Sequence, residues 1–242
     1  MTINIYKSEE EVLDNLAAYF VLSANTAISV KGKFTVALSG GSSPKKLYEL
    51  LAENYADKLE WENVDFFFGD ERNVLQDDAN SNYLMVKTAL FTPLKILNQQ
   101  VFAVNTSLEP NQAAEAYTRA INNYFKGDPI IFDLILLGLG DNSHTASLFP
   151  NTNILQEQTA TVKAVFLKDE NVYRISFSAP LINNADKIAF LVYGAGKAAA
   201  VQHVIEDEKN TNLYPAQLIA PLHGELCWFL DKNAAADIKA SV

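Results

Sequence analysis

The chain has 242 residues, 49% of them apolar and spread along its length, enough to bury one sizeable α/β core without division into smaller domains. Its 19 basic and 29 acidic residues give a formal charge of −10, which argues against general binding to nucleic acid or to an anionic membrane, since both reward a basic surface. A single cysteine, Cys227, excludes an intrachain disulfide framework and any site built from several thiolates.

In chain order, the opening stretch from Met1 to Glu11 has no basic region followed by a long apolar run. Neither a signal peptide nor a membrane span is expected, and the expected compartment is the cytoplasm. Ser8 and Glu11 form a capping box before Val12, Leu13, Leu16, Ala17 and Phe20, which share one helical face. Strands are expected at Phe34–Leu38, Val64–Phe68, Phe132–Leu137, Val162–Leu167, Arg174–Phe177, Ile188–Val192 and Leu226–Leu230. Further helices are expected at Asn82–Leu90, Asn111–Phe125 and Lys197–Ile205. A run such as Phe132-Asp-Leu-Ile-Leu-Leu is too uniformly apolar for a half-exposed strand and suits a parallel strand buried on both faces. Strands alternating with helices predict a doubly wound, mostly parallel open sheet with helices on both faces, a Rossmann-like three-layer α/β fold, as one domain over residues 1–242.

Ligands of such sheets sit beyond the carboxyl ends of the strands. The segments that follow the buried strands are Ser39-Gly-Gly-Ser-Ser-Pro, Gly69-Asp-Glu-Arg, Gly138-Leu-Gly-Asp-Asn-Ser-His and Gly194-Ala-Gly-Lys. All four bring glycine and polar groups to one rim. Gly40 and Gly41 allow a sharp turn and close approach, Ser43 can cap the next helix, and Pro44 fits its first position. The amides and hydroxyls of Gly40, Gly41, Ser42 and Ser43 then suit a phosphate dianion. This is neither a Walker A loop nor a dinucleotide fingerprint. Asp70 and Glu71 are of the type that orients groups or moves protons, and Arg72 of the type that stabilises an oxyanion. Asp77, Asp78 and Asn80 are explained by solvation and helix capping.

His144 lies in a glycine-rich loop directly after a buried strand, with Asp141 near enough in sequence to orient it. A neutral imidazole there can deprotonate water and return the proton to a leaving oxygen. His203 and His223 suit structural or surface positions. Lys197, at a helix start where the macrodipole does not favour it, suits a phosphate at the rim. No Gly-x-Ser-x-Gly elbow and no metal-ligand spacing of histidines is present, and Cys227 sits in an apolar run.

These segments, in this order, resemble the 6-phosphogluconolactonase family, which belongs with the glucosamine-6-phosphate deaminase and isomerase group. The resemblance rests on Ser39-Gly-Gly-Ser-Ser-Pro, Asp70-Glu-Arg, Ser81-Asn-Tyr, His144-Thr-Ala-Ser-Leu-Phe-Pro and Gly194-Ala-Gly-Lys-Ala. It is closed by Tyr214-Pro-Ala and Trp228-Phe-Leu-Asp-Lys-Asn-Ala-Ala, and it runs from about Val36 to Ala236. It implies hydrolysis of 6-phospho-D-glucono-1,5-lactone in the oxidative pentose phosphate pathway, with a phosphorylated sugar lactone as partner and no metal or organic cofactor. It also implies His144 as the catalytic histidine, Arg72 beside the lactone carbonyl, and Gly41, Ser42 and Lys197 toward the phosphate. Asp70 is expected to orient Arg72 or a substrate hydroxyl, and Arg174, at the start of a strand, is a further candidate for the anion.

The chain departs from the family's Asp-Gly-His at Asn142-Ser143-His144. The change removes an anion beside the imidazole and places a side chain where a glycine at positive φ is expected; Asp141 is the expected substitute carboxylate. Two alternatives share the scaffold. An isomerase or deaminase is disfavoured by Ser147-Leu-Phe-Pro, which lacks the deaminase branch's relay glutamate. A non-catalytic sugar-phosphate sensor is disfavoured by the absence of a basic DNA-binding segment.

Overall fold

The computed structural model describes residues 1–127 and 129–239. An opening strand, β1 (Thr2–Tyr6), leads into helix α1 (Glu9–Lys31). Ser8 Oγ accepts the Glu11 N–H at 3.3 Å, and Glu11 reaches back to the Lys7 amide at 2.9 Å. Gly32, at φ 77°, ends the helix with an N–H to Ile28 O. Next come β2 (Phe34–Leu38), α2 (Ser42–Asn54), β3 (Val64–Phe68), β4 (Asp70–Arg72), α3 (Asn82–Val86), α4 (Pro110–Tyr124) and β5 (Leu134–Leu137). The chain closes with β6 (Val162–Leu167), β7 (Val172–Phe177), α5 (Ala179–Asn183), β8 (Lys187–Val192), α6 (Ala198–Ile205) and β9 (Glu225–Asp231).

Six strands form one sheet in the order β1-β9-β8-β5-β2-β3, with every neighbouring pair parallel. The central strands are buried on both sides, and their side chains alternate between two cores. Val36, Leu38, Phe66, Phe68, Leu134 and Leu136 pack with α1 and α2 on one face. Ala37, Phe67, Ile135, Leu137, Phe190 and Trp228 pack with α4 and α6 on the other. This is the expected three-layer class. Cys227 is buried in the first core, where burial and the neighbouring Glu225 carboxylate push its thiol up to about 11.

Three of the expected features differ in the structure, and strand β1 is an addition to them. The expected strands at Val162–Leu167 and Arg174–Phe177 leave the main sheet and join β4 in a separate antiparallel sheet, ordered β4-β7-β6. Strand β6 alternates buried and exposed residues, and Phe166 and Tyr173 meet at a tilt on the sheet's open side with centroids 4.8 Å apart. The expected Asn82–Leu90 helix divides into α3 and a π turn over Lys87–Phe91. Finally, α2 begins at Ser42 with Gly41 (φ 111°) in the capping position and no side-chain cap, so neither Ser43 as cap nor Pro44 as first helical residue holds. A positive φ at the turn requires a residue without Cβ, and Gly41 supplies it.

The chain moves from β2 outward to β3, then returns to the other side of β2 at β5. The strand order therefore reverses between β2 and β5, the position where an open α/β sheet leaves a crevice for ligand.

Candidate active site

A cleft of about 370 Å³ opens at that reversal. It is lined by Gly40, Gly41, Ser42 and Ser43 after β2, Asp70 and Arg72 on β4, His144 after β5, Arg174 on β7 and Lys197 after β8, but not by Glu71 or Asp141.

At one end stands the start of α2, where the amides of Ser42 and Ser43 precede the first intrahelical bond, from Lys45 N to Gly41 O. Tyr48 fixes the approach to it: its hydroxyl donates to Ser39 O at 2.8 Å and accepts from Ser39 N at 3.0 Å. Asn82 packs against Gly40 so closely that a Cβ there would fall 1.9 Å from its Oδ1. The free amides and the helix dipole favour an anion at this end.

Across the cleft, β4 and β7 pair so that Arg72 lies directly opposite Arg174. Like charges in that register repel each other, and burial, followed by the field of Arg72, lowers the Arg174 pKa. Both guanidiniums line the cleft. Arg72 Nη1 donates to Asn80 O at 2.8 Å, and Arg174 Nη2 pairs with Glu170 at 2.9 Å. A chain of charge −10 thus assembles Arg72, Arg174 and Lys197 around one crevice.

The two acids of the Asp-Glu-Arg segment have separate settings. Asp70 accepts Ser147 Oγ–H at 2.6 Å, so its carboxylate is held by Ser147 rather than by Arg72; burial raises its pKa. Glu71 turns away from the cleft and gathers the N–H groups of Arg72, Asn82 and Tyr83 (2.7, 2.7 and 2.8 Å) and the hydroxyl of Ser81. Burial raises its pKa as well, while those donors oppose the shift. It ties β4 to the start of α3, a structural task. The cap of α3 is Ser81, whose Oγ accepts the Leu84 N–H, rather than Asp77, Asp78 or Asn80.

His144 is set by its own loop. Its Nδ1 lies 2.6 Å from Asn142 Oδ1, which also takes the His144 backbone N–H at 3.3 Å. An amide oxygen only accepts, so Nδ1 carries the proton and Nε2 is left as the basic nitrogen. The ring stacks on Phe149 with centroids 4.0 Å apart. Burial, then the cations Lys197 and Arg174, hold its pKa down to about 4; Asp141 opposes them. Asn142 therefore replaces the orienting function of a carboxylate without its charge. Asp141 is not the substitute partner of the imidazole, because its carboxylate pairs with Lys197 Nζ. Ser143 does stand at positive φ (61°), which costs a non-glycine residue about 1 kcal/mol, and its buried Oγ has no hydrogen-bond partner among the described residues.

The sequence motifs missed Asn82, Phe149 and Tyr193 as cleft residues. Phe149 and Asn82 lie within quoted motifs, yet nothing in their spacing says which way their side chains point. His203 pairs with Asp207 at 2.6 Å and stacks on Tyr214, away from the cleft. Among the described residues no cluster of His, Cys, Asp and Glu suits a metal ion, and no helix is long and apolar enough to cross a membrane.

An open parallel sheet with free helix-start amides, facing arginines and an oriented imidazole at its reversal point defines an α/β protein whose cleft suits a small anionic metabolite. Residues 7–228 match the model of the glucosamine-6-phosphate isomerase/6-phosphogluconolactonase family. A 6-phosphogluconolactonase from Nostoc sp. is 39% identical, covering 98% of each chain, and one from Bos taurus is 36% identical, covering 96% of this chain and 92% of that one. The solved structure of a 6-phosphogluconolactonase from Trypanosoma brucei superposes with a TM-score of 0.85 at 27% identity, covering 98% of both chains. The chain belongs to the glucosamine-6-phosphate isomerase/6-phosphogluconolactonase family.

Proposed function

We propose that the chain hydrolyses 6-phospho-D-glucono-1,5-lactone to 6-phosphogluconate, the lactone-opening step of the oxidative pentose phosphate pathway. The observation that carries this reading is the tautomer of His144: Asn142 holds Nδ1–H, and the free Nε2 belongs to a cleft with a phosphate-type helix start at one end and two arginines at the other. The relatives named above as 6-phosphogluconolactonases support the substrate.

The phosphate sits at Gly40–Ser43 with Lys197, which fixes one end of the sugar. His144 Nε2 takes a proton from water, and the water oxygen bonds to the lactone carbonyl carbon. The carbonyl oxygen gains the displaced electron pair, and Arg72, with Arg174 beside it, stabilises that charge. Collapse re-forms the carbonyl and breaks the bond to the ring oxygen, which receives the proton from Nε2. Asp70, held by Ser147, accepts a substrate hydroxyl. No cofactor enters any of these steps.

The test is the decay of freshly generated lactone with rising protein concentration, alongside ammonia release from glucosamine-6-phosphate. The expected result is lactone loss proportional to protein, above the spontaneous rate, with ammonia at background. Ammonia release without lactone acceleration would instead assign the chain to the deaminase branch.

A further inference from the structure

The cleft's cations do not wait bare. Lys197, 30% exposed at its side chain, is paired with Asp141, which is 80% exposed. Arg174, 17% exposed, is paired with Glu170, 53% exposed. In both cases an acid reaching in from solvent covers a cation that lines the cleft. Lys197 is the only Asp141 side-chain partner described, and Asp141 lies on the same loop as His144. An acid in this place competes with any ligand anion for the lysine.

We propose that Asp141 is a latch on Lys197: the substrate phosphate displaces it, so that capture of the phosphate and arming of His144 are one event. The inference rests on the phosphate position in the reading above and extends it to a residue that has no other task in the cleft.

The charged groups around the imidazole give the direction. Asp141 lies on its own loop, Arg72 and Asp70 come from β4, Arg174 from β7 with Glu170 against it, and Lys197 from the turn after β8. In the unliganded chain burial and the three cations disfavour the imidazolium. A dianion on Lys197 brings two negative charges where the latch supplied one. The positive field at the ring then falls, and Nε2 becomes a stronger base when substrate is in place. Linkage requires the converse: protonating His144 must tighten anion binding by the same factor.

Inorganic sulfate, a dianion across the whole range, is the probe. Proton NMR of the histidine ring protons in the full chain, between pH 4 and 7.5, reads both sulfate affinity and protonation; His203 and His223 serve as internal references, and His144→Gln assigns the third signal. Asp141→Asn should bind sulfate roughly two- to fivefold more tightly than the unaltered chain at low salt, the value of one partly exposed ion pair. Asp169→Asn, which removes an equal charge from an exposed neighbouring position, should change affinity by less than about 1.5-fold. Saturating sulfate should raise the proton affinity of His144 at least about threefold. Equal or weaker binding by Asp141→Asn, equal tightening by Asp169→Asn, or a His144 titration that sulfate does not move would each overturn the latch. Turnover enters none of these readings. A chain that shows the latch but leaves lactone untouched would overturn the lactonase reading alone, and the reverse result would overturn the latch alone.

Discussion

His144→Ala should lower kcat/KM for the lactone by about 10²- to 10⁴-fold while the chain keeps its fold, the range expected when a positioned general base is removed. The loss should fall mainly on kcat, because the proposed phosphate end of the cleft, lined by Gly40–Ser43 and Lys197, is untouched. The imidazole packs on Phe149 and against Gly140 but carries no backbone of another element, so unfolding is not the expected outcome. Initial rates on fresh lactone, corrected for spontaneous opening, with circular dichroism on the same samples, decide it. A variant within threefold of the parent would remove His144 from the mechanism.

Gly140→Ala should be nearly as damaging, from a residue with no chemistry of its own. A Cβ on Gly140 would lie 2.1 Å from both Cε1 and Nδ1 of the imidazole, so the ring must move. The loop cannot yield easily in response. Gly140 N donates to His144 O at 2.8 Å, Ser143 N donates to Gly140 O at 2.9 Å, and Ala216 N holds Ser143 O at 3.0 Å. Phe149 stacks on the ring and restricts it further. The displaced ring loses the short bond to Asn142 Oδ1, and with it the tautomer that leaves Nε2 basic. A misplacement near 1 Å costs about 10²-fold, and that loss in kcat is the expected reading. Gly138→Ala is the control: a Cβ there meets nothing within 4 Å, and kcat should stay within about twofold. Equal kcat for both variants would mean that the ring position does not matter.

Much of this architecture is legible in the sequence, for physical reasons that stop at identifiable places. The strands β2, β3, β5, β8 and β9 are predominantly apolar and almost wholly buried because helices cover both faces of the sheet, and their patterns announce it. Strand β1 was missed because it is a half-buried edge of five residues whose aliphatic signal is limited to Ile3 and Ile5. The β6 alternation was present, with Val162, Val165 and Leu167 buried and Lys163 and Phe166 exposed, but membership of a second sheet depends on pairing with β7, which in turn pairs with β4, three residues long. Four site loops could be found because each follows a buried strand, and the sheet alone brings them to one rim. Side-chain partners could not be found that way. Nothing in the spacing of Asp141, Asn142 and His144 says that the amide takes the imidazole while the acid takes Lys197. Nor does Asp70-Glu-Arg reveal that its middle residue points away to gather four donors beside α3.

The most direct measurement is kcat/KM for the lactone between pH 3.5 and 7, where spontaneous opening is subtracted and the ionisation of the substrate phosphate near pH 6 is factored out. The base must be neutral to accept a proton, so activity should be present at high pH and fall as the pH drops through the free enzyme's His144 pKa. With burial and the cleft cations holding that pKa at about 4, the profile should be flat at neutral pH with one descending limb near 4, and His144→Ala should lack the limb. A profile that never leaves the spontaneous background, or a limb that survives in His144→Ala, would contradict hydrolysis by a His144-activated water.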